Sequence, residues 1–132
     1  MIVRVVLDAS ALVAYAQLHG IATGELIAMV EEDGGANLVG IPAESLLSAY
    51  AVLKPDERAR LVELATKIDG VTVVLPLLGV DAIEVAELQT RLAVRGIAHA
   101  IVETRKRGAL LATRDGALAR RELPDESVLD LE

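Results

Sequence analysis

Apolar runs that end beside an acid are the feature that most constrains this chain. Residues 2–7, IVRVVL, are almost wholly β-branched or aliphatic and stop at Asp8. Residues 109–113, ALLAT, run the same way into Arg114, Asp115 and Gly116. Continuous runs of this length and composition read as strands buried on both faces, which is the environment of a parallel sheet. NLVGIP (37–42), VTVVLPL (71–77) and SVLDL (127–131) supply three more short strands. Between them the apolar spacing changes to three and four, as at Leu46, Leu47, Tyr50 and Leu53.

Helices are expected from Ser10 to Leu18, over 24–32 before the loop EDGG, and from Ala43 onward. Another should run from Pro55 to Ile68, closed by Asp69-Gly70, and one capped by Asp81 should continue to Val94. Ala98–Arg107 follows, with Gly108 placed as its C′ residue, then a short helix over 116–121. Strands alternating with helices imply a three-layer α/β/α fold around a central, mostly parallel sheet of about five strands. One domain spanning residues 1–132 is expected.

Composition narrows the function. Phe, Trp and Cys are absent, and Tyr15 and Tyr50 are the only aromatics. The core must be Leu, Val, Ile and Ala, and there is no aromatic platform on which to stack bases. Disulfides, thiolate metal sites and cysteine nucleophiles are excluded. The N-terminus lacks a signal peptide's basic start and long apolar run, and no apolar stretch reaches the roughly 18 residues of a membrane span. A cytoplasmic protein with no membrane association is expected.

The net charge of −7 is unevenly spread. Residues 1–90 hold 5 basic and 13 acidic residues, a net of −8, whereas residues 91–121 hold 8 basic and 2 acidic, a net of +6. The second segment suits a local anion-binding face. Arg105 to Arg107 equally suit a helix C-terminus, where the helix dipole favours cations.

In open α/β sheets, ligands bind beyond the carboxyl ends of the strands. Asp8 and Asp115 follow strands directly, and Glu44 lies in the first turn of the helix after NLVGIP. Carboxylates converging there make an oxygen-rich site of the kind that Mg²⁺ or Mn²⁺ occupies. Each acid also has a structural role open to it. Asp8 can cap a helix, Glu44 can complement a helix N-terminus, and Asp115 can form a turn before Gly116.

The order of these segments resembles the PIN domain, the fold of VapC-type toxin ribonucleases. Its hydrophobic strand ending in Asp-x-Ser is matched by VVLDAS, with Asp8 and Ser10. Its glutamate after a proline-containing segment is matched by IPAESLLSAY, with Glu44. Its strand ending in Thr-x-Asp after a glycine is matched by RGALLATRDGAL, with Gly108, Thr113 and Asp115. The resemblance covers nearly the whole chain. It implies metal-dependent hydrolysis of single-stranded RNA, with Asp8, Glu44 and Asp115 as catalytic and metal-binding acids and Ser10 and Thr113 supporting them. Mg²⁺ or Mn²⁺ as cofactor, an antitoxin protein as partner and a homodimer follow from the same resemblance.

One family residue is missing. A further aspartate usually opens the helix before the last motif, and counting back from Gly108 by the usual interval lands on Ile97. A shift by one gives Gly96 or Ala98. Glu103 lies six residues on, about 600° of rotation and roughly 9 Å along a helix, so it belongs to another face. His99, about 200° round from Ile97, is either a packed structural residue or an RNA contact beside Arg105 and Arg114. The loss leaves a second function open: a degenerate PIN domain with weak or no nuclease activity that binds RNA or protein. A phosphate-handling enzyme of another kind is disfavoured, since neither GxxxxGK[ST] nor GxGxxG occurs. The serines likewise lack a GxSxG context.

Overall fold

The five expected strands form one sheet, parallel throughout, in the order β3-β2-β1-β4-β5. The computed structural model describes residues 2–17, 21–32, 36–66 and 71–131. The strands are β1 (Ile2–Leu7), β2 (Asn37–Pro42), β3 (Thr72–Leu75), β4 (Leu110–Thr113) and β5 (Val128–Asp130). The helices are α1 (Ala9–Ala16), α2 (Ile21–Glu32), α3 (Ala43–Val52), α4 (Pro55–Ala65), α5 (Gly79–Leu92), α6 (Ala98–Arg107) and α7 (Gly116–Ala119). None of them is long and apolar enough to cross a membrane.

Two apolar clusters lie on the sheet, which makes the fold three-layered. One gathers Val5 and Leu7 with α1, α2, α3 and α4 through Leu12, Ile27, Ala49 and Leu61. The other gathers Val3 and Val6 with α5 and α6 through Leu88, Leu92, Ile97 and Ile101. Val3 and Val6 share a cluster although strict alternation would separate them. The β1–β2 register skips between Val3 and Val5, and this bulge resets the facing of the strand.

Several boundaries shift from those expected. α1 begins at Ala9 with Asp8 as its N-cap, and α2 begins at Ile21 rather than 24. α4 stops at Ala65, and the expected Asp69-Gly70 terminator lies outside the described residues, as do Leu18 and most of EDGG. β3, β4, β5 and α7 are each shorter than expected. Asp81 does not cap α5. The cap position is Leu78, and Asp81 sits buried in the first turn, accepting from Lys106 Nζ at 2.6 Å. Gly108 ends α6 in the left-handed region at φ 60°, as its type predicts.

Candidate active site

Strand order places the candidate acids before any side chain is considered. β1 leads to β2 and β3 on one side, while β4 and β5 lie on the other, so the chain changes direction between β1 and β4. At such a switch point the loops leaving neighbouring strands diverge and open a crevice beyond their carboxyl ends. Asp8 leaves β1 there, Thr113 and Asp115 leave β4, and Glu44 opens α3 after β2.

Asp8 is 2% exposed, and every oxygen it has is engaged. Oδ1 accepts from Ser10 Oγ at 2.6 Å and from the Ala11 amide at 3.0 Å, the latter being its N-cap bond. Oδ2 accepts from Thr113 Oγ1 at 2.5 Å. Burial pushes the Asp8 carboxyl above the ordinary aspartate value. Hydrogen bonds from Ser10, Thr113 and Ala11 oppose that rise, and the negative charge of nearby Asp115 adds to it.

Ser10 and Thr113 stitch the two strand ends together. Thr113 Oγ1 donates to Asp8 and accepts from the Asp115 amide at 2.9 Å. Ser10 Oγ accepts from the Arg114 amide at 3.0 Å and lies 3.3 Å from Thr113 Oγ1. The turn carrying Asp115 is thereby held against the end of β1. Asp115 itself is exposed and caps α7, with Oδ1 3.4 Å from the Leu118 amide.

Glu44 is anchored separately. Its Oε2 accepts from Ser48 Oγ at 2.5 Å and from the Gly96 amide at 2.9 Å, while Oε1 is buried without a partner. Gly96 is the joint of this side of the site. Its carbonyl accepts from the Ala9 amide and from Ser45 Oγ, both at 2.9 Å, and its φ is 90°. A Cβ there would overlap Ala9 and crowd Ser48, so only glycine fits.

Ile97 and His99 both turn inward. Ile97 is 2% exposed within the α5–α6 cluster, so the position where the family places an aspartate is occupied by core. His99 is 0% exposed, so of its two readings the packed structural residue holds and the RNA contact does not. Its Nδ1 accepts from the Glu44 amide at 3.3 Å, which leaves the proton on Nε2, 3.3 Å from Glu103 Oε1. Arg105 is also displaced from its expected role. It lies near the far end of α6, roughly 9 Å along the axis from His99, and is held by Glu122 and Glu84. Arg114 remains at the site.

Two solved structures share this architecture. VapBC2 from Rickettsia felis, bound to a DNA fragment from its promoter, superposes with a TM-score of 0.66 at 16% identity, covering 100% of both chains. PAE2754 from Pyrobaculum aerophilum gives 0.58 at 20%, covering 98% of this chain and 92% of that one. The fold is the PIN-like α/β arrangement that these structures share. No protein-family profile and no curated protein matches the chain.

Among the described residues no group of three or more His, Asp or Glu side chains gathers into a metal cage. Asp8 and Asp115 are close enough for one charge to raise the other's pKa, whereas Glu44 is turned to Gly96 and Ser48. Such a donor set does not suit an all-protein Ca²⁺ site with its six to eight oxygens. It suits Mg²⁺, which commonly uses one or two carboxylates and completes its shell with water and substrate phosphate.

Reading the sequence alone does not single out Gly96, Ser48 or Arg95, although two of them carry a local signal. Ser48 lies four residues after Glu44, the spacing at which helical side chains meet, and Gly96 is a glycine in the short link just ahead of the α6 N-cap, Ile97.

Proposed function

We propose that the chain is a PIN-type endoribonuclease of the VapC toxin kind, cutting single-stranded RNA with Mg²⁺ or Mn²⁺ as cofactor. The observation that carries this is the approach of Asp8 and Asp115 across the β1–β4 switch point, where Thr113 Oγ1 donates to the Asp8 carboxylate and accepts from the Asp115 amide. Asp8 and Asp115 would hold the ion, and Glu44, whose Oε1 has no partner, would be the third acid of the reading. When bound, the ion supplies an activated water and offsets charge developing on a phosphate. The chain's own residues orient the acids: Ser10 and Thr113 donate to Asp8, and Gly96 fixes Glu44. An antitoxin partner, a homodimer and a cytoplasmic location belong to the same reading, as does a single domain over 1–132.

A second reading, a PIN fold with weak or no nuclease activity, is favoured by one observation: Ile97 fills the position of the missing aspartate from within the core. Cleavage of labelled single-stranded RNA with Mg²⁺ or Mn²⁺ separates the two. Wild type should cut, and Asp8→Asn should lose cleavage while keeping its circular dichroism. Silence in wild type at every metal tried would favour the second reading. Ile97→Asp is no test of reactivation, because the new carboxylate would be buried among Leu88, Leu92 and Ile101.

A further inference from the structure

The +6 segment contains two kinds of arginine. Arg91 pairs with Glu122, Arg105 with Glu122 and Glu84, and Arg107 with Glu103. Lys106 pairs with Asp81, Arg120 pairs with Asp125 and Asp130, and Arg121 lies close enough to Glu122 to lower its pKa. Arg95 and Arg114 are different. Both are exposed, and neither guanidinium makes a hydrogen bond or ion pair with any described residue.

These two residues line one groove of about 710 Å³, together with Ser10, Val13, Leu47 and Val52. Each is fixed to the candidate site through its backbone neighbourhood. Arg95 precedes Gly96, which is tied to Ala9, Glu44 and Ser45, and the Arg114 amide donates to Ser10 Oγ.

We infer that Arg95 and Arg114 form a phosphate clamp that seats a single RNA strand in this groove, an assignment that rests on the nuclease reading for the identity of the polyanion. A guanidinium already held by a carboxylate must give up that bond to take a phosphate; an unpaired one offers its donor fork at no such cost. A phosphodiester strand presents anions along one edge and apolar sugar and base faces along another. That matches a groove combining two free arginines with Val13, Leu47 and Val52. With no aromatic residue lining the groove, base stacking adds little, and the phosphates must supply most of the affinity. Binding through this clamp is therefore expected to be sequence-tolerant and strongly salt-dependent.

The test is fluorescence anisotropy of a short labelled single-stranded RNA, at several salt concentrations and in EDTA so that nothing is cut. Arg95→Gln/Arg114→Gln should weaken binding about tenfold or more at low salt. It should also flatten the log–log salt dependence by about 1.4, as expected for two phosphates lost from a single strand. Arg105→Gln, the paired control, should bind as wild type does. Unchanged binding by the double variant, or an equal loss in Arg105→Gln, would overturn the clamp. So would a wild type that ignores RNA yet binds an acidic peptide through the same arginines. Because no metal is present, the two proposals fail separately. Arginine-dependent binding without cleavage in Mg²⁺ keeps the clamp and removes the nuclease; cleavage with binding indifferent to both arginines does the reverse.

Discussion

The two ends of the sheet carry charge in opposite ways. At the carboxyl end, like charges are brought together: Asp115 raises the pKa of Asp8, and two arginines nearby have no partner among the described residues. At the other end, opposite charges are brought together. The last turn of α6 sends Arg107 and Lys106 to Glu103, which is 1% exposed, and Arg105 to Glu122 and Glu84. In the sequence the second region looked the more basic, yet its charge is spent internally. Frustrated charge marks a place that can gain by binding something, whereas satisfied charge marks a place that holds the fold.

Glu103→Ala should separate the two regions most sharply. It leaves His99 without its Nε2 partner and Arg107 without its carboxylate, while Lys106 keeps Asp81, so urea unfolding should show a loss on the order of 3–4 kcal/mol from an unpaired buried donor and the cavity left behind. A loss below about 1 kcal/mol would mean that the buried cluster is not structural. Gly96→Ala comes next. It forces a side chain onto a positive φ and into Ala9, for an expected cost on the order of 3 kcal/mol by denaturation.

A smaller effect concerns protonation at the carboxyl end. Asp8 has its native pKa raised above the ordinary 3.8, so the native state binds more protons than the unfolded one between those values. The stability it contributes is fully present below that window and is lost as pH rises through the native pKa. Asp115→Asn removes one cause of the rise, and carboxyl ¹³C shifts should show the Asp8 midpoint moving down. A midpoint that stays put would mean that the two acids do not sense each other. Smallest of all, Arg105→Gln should change stability by no more than about 1 kcal/mol, since Arg105 and Glu84 are solvent-exposed and Glu122 keeps Arg91.

Much of this was legible before the coordinates. Long apolar runs announced β1 and β4, and Asp8 and Asp115 do follow the carboxyl ends of those two neighbouring strands, because strand ends in a parallel sheet are fixed by topology. Gly108 ended α6 as expected. What could not be read was pairing. The helix over Ala98–Arg107 was expected, but not that Ala98 to Thr104 are all buried, with His99 and Glu103 satisfying one another inside. Arg105 and Arg114 are indistinguishable by residue type; only Glu84 and Glu122, both remote in sequence, tell them apart. Asp81 looked like a helix cap until Lys106, 25 residues on, was found beside it. The bulge in β1 left no sequence signal that strict alternation would reveal.

The most direct measurement titrates Mn²⁺ into ¹⁵N-labelled protein and follows paramagnetic broadening of the amides. The expected result is early, strongest broadening at Ala9 to Leu12 and Thr113 to Gly116, around Asp8 and Asp115, weakened in Asp115→Asn. Broadening centred instead on Asp81, Glu84 and Glu122, or spread evenly over the surface, would contradict a metal-binding carboxylate pair at the β1–β4 crevice.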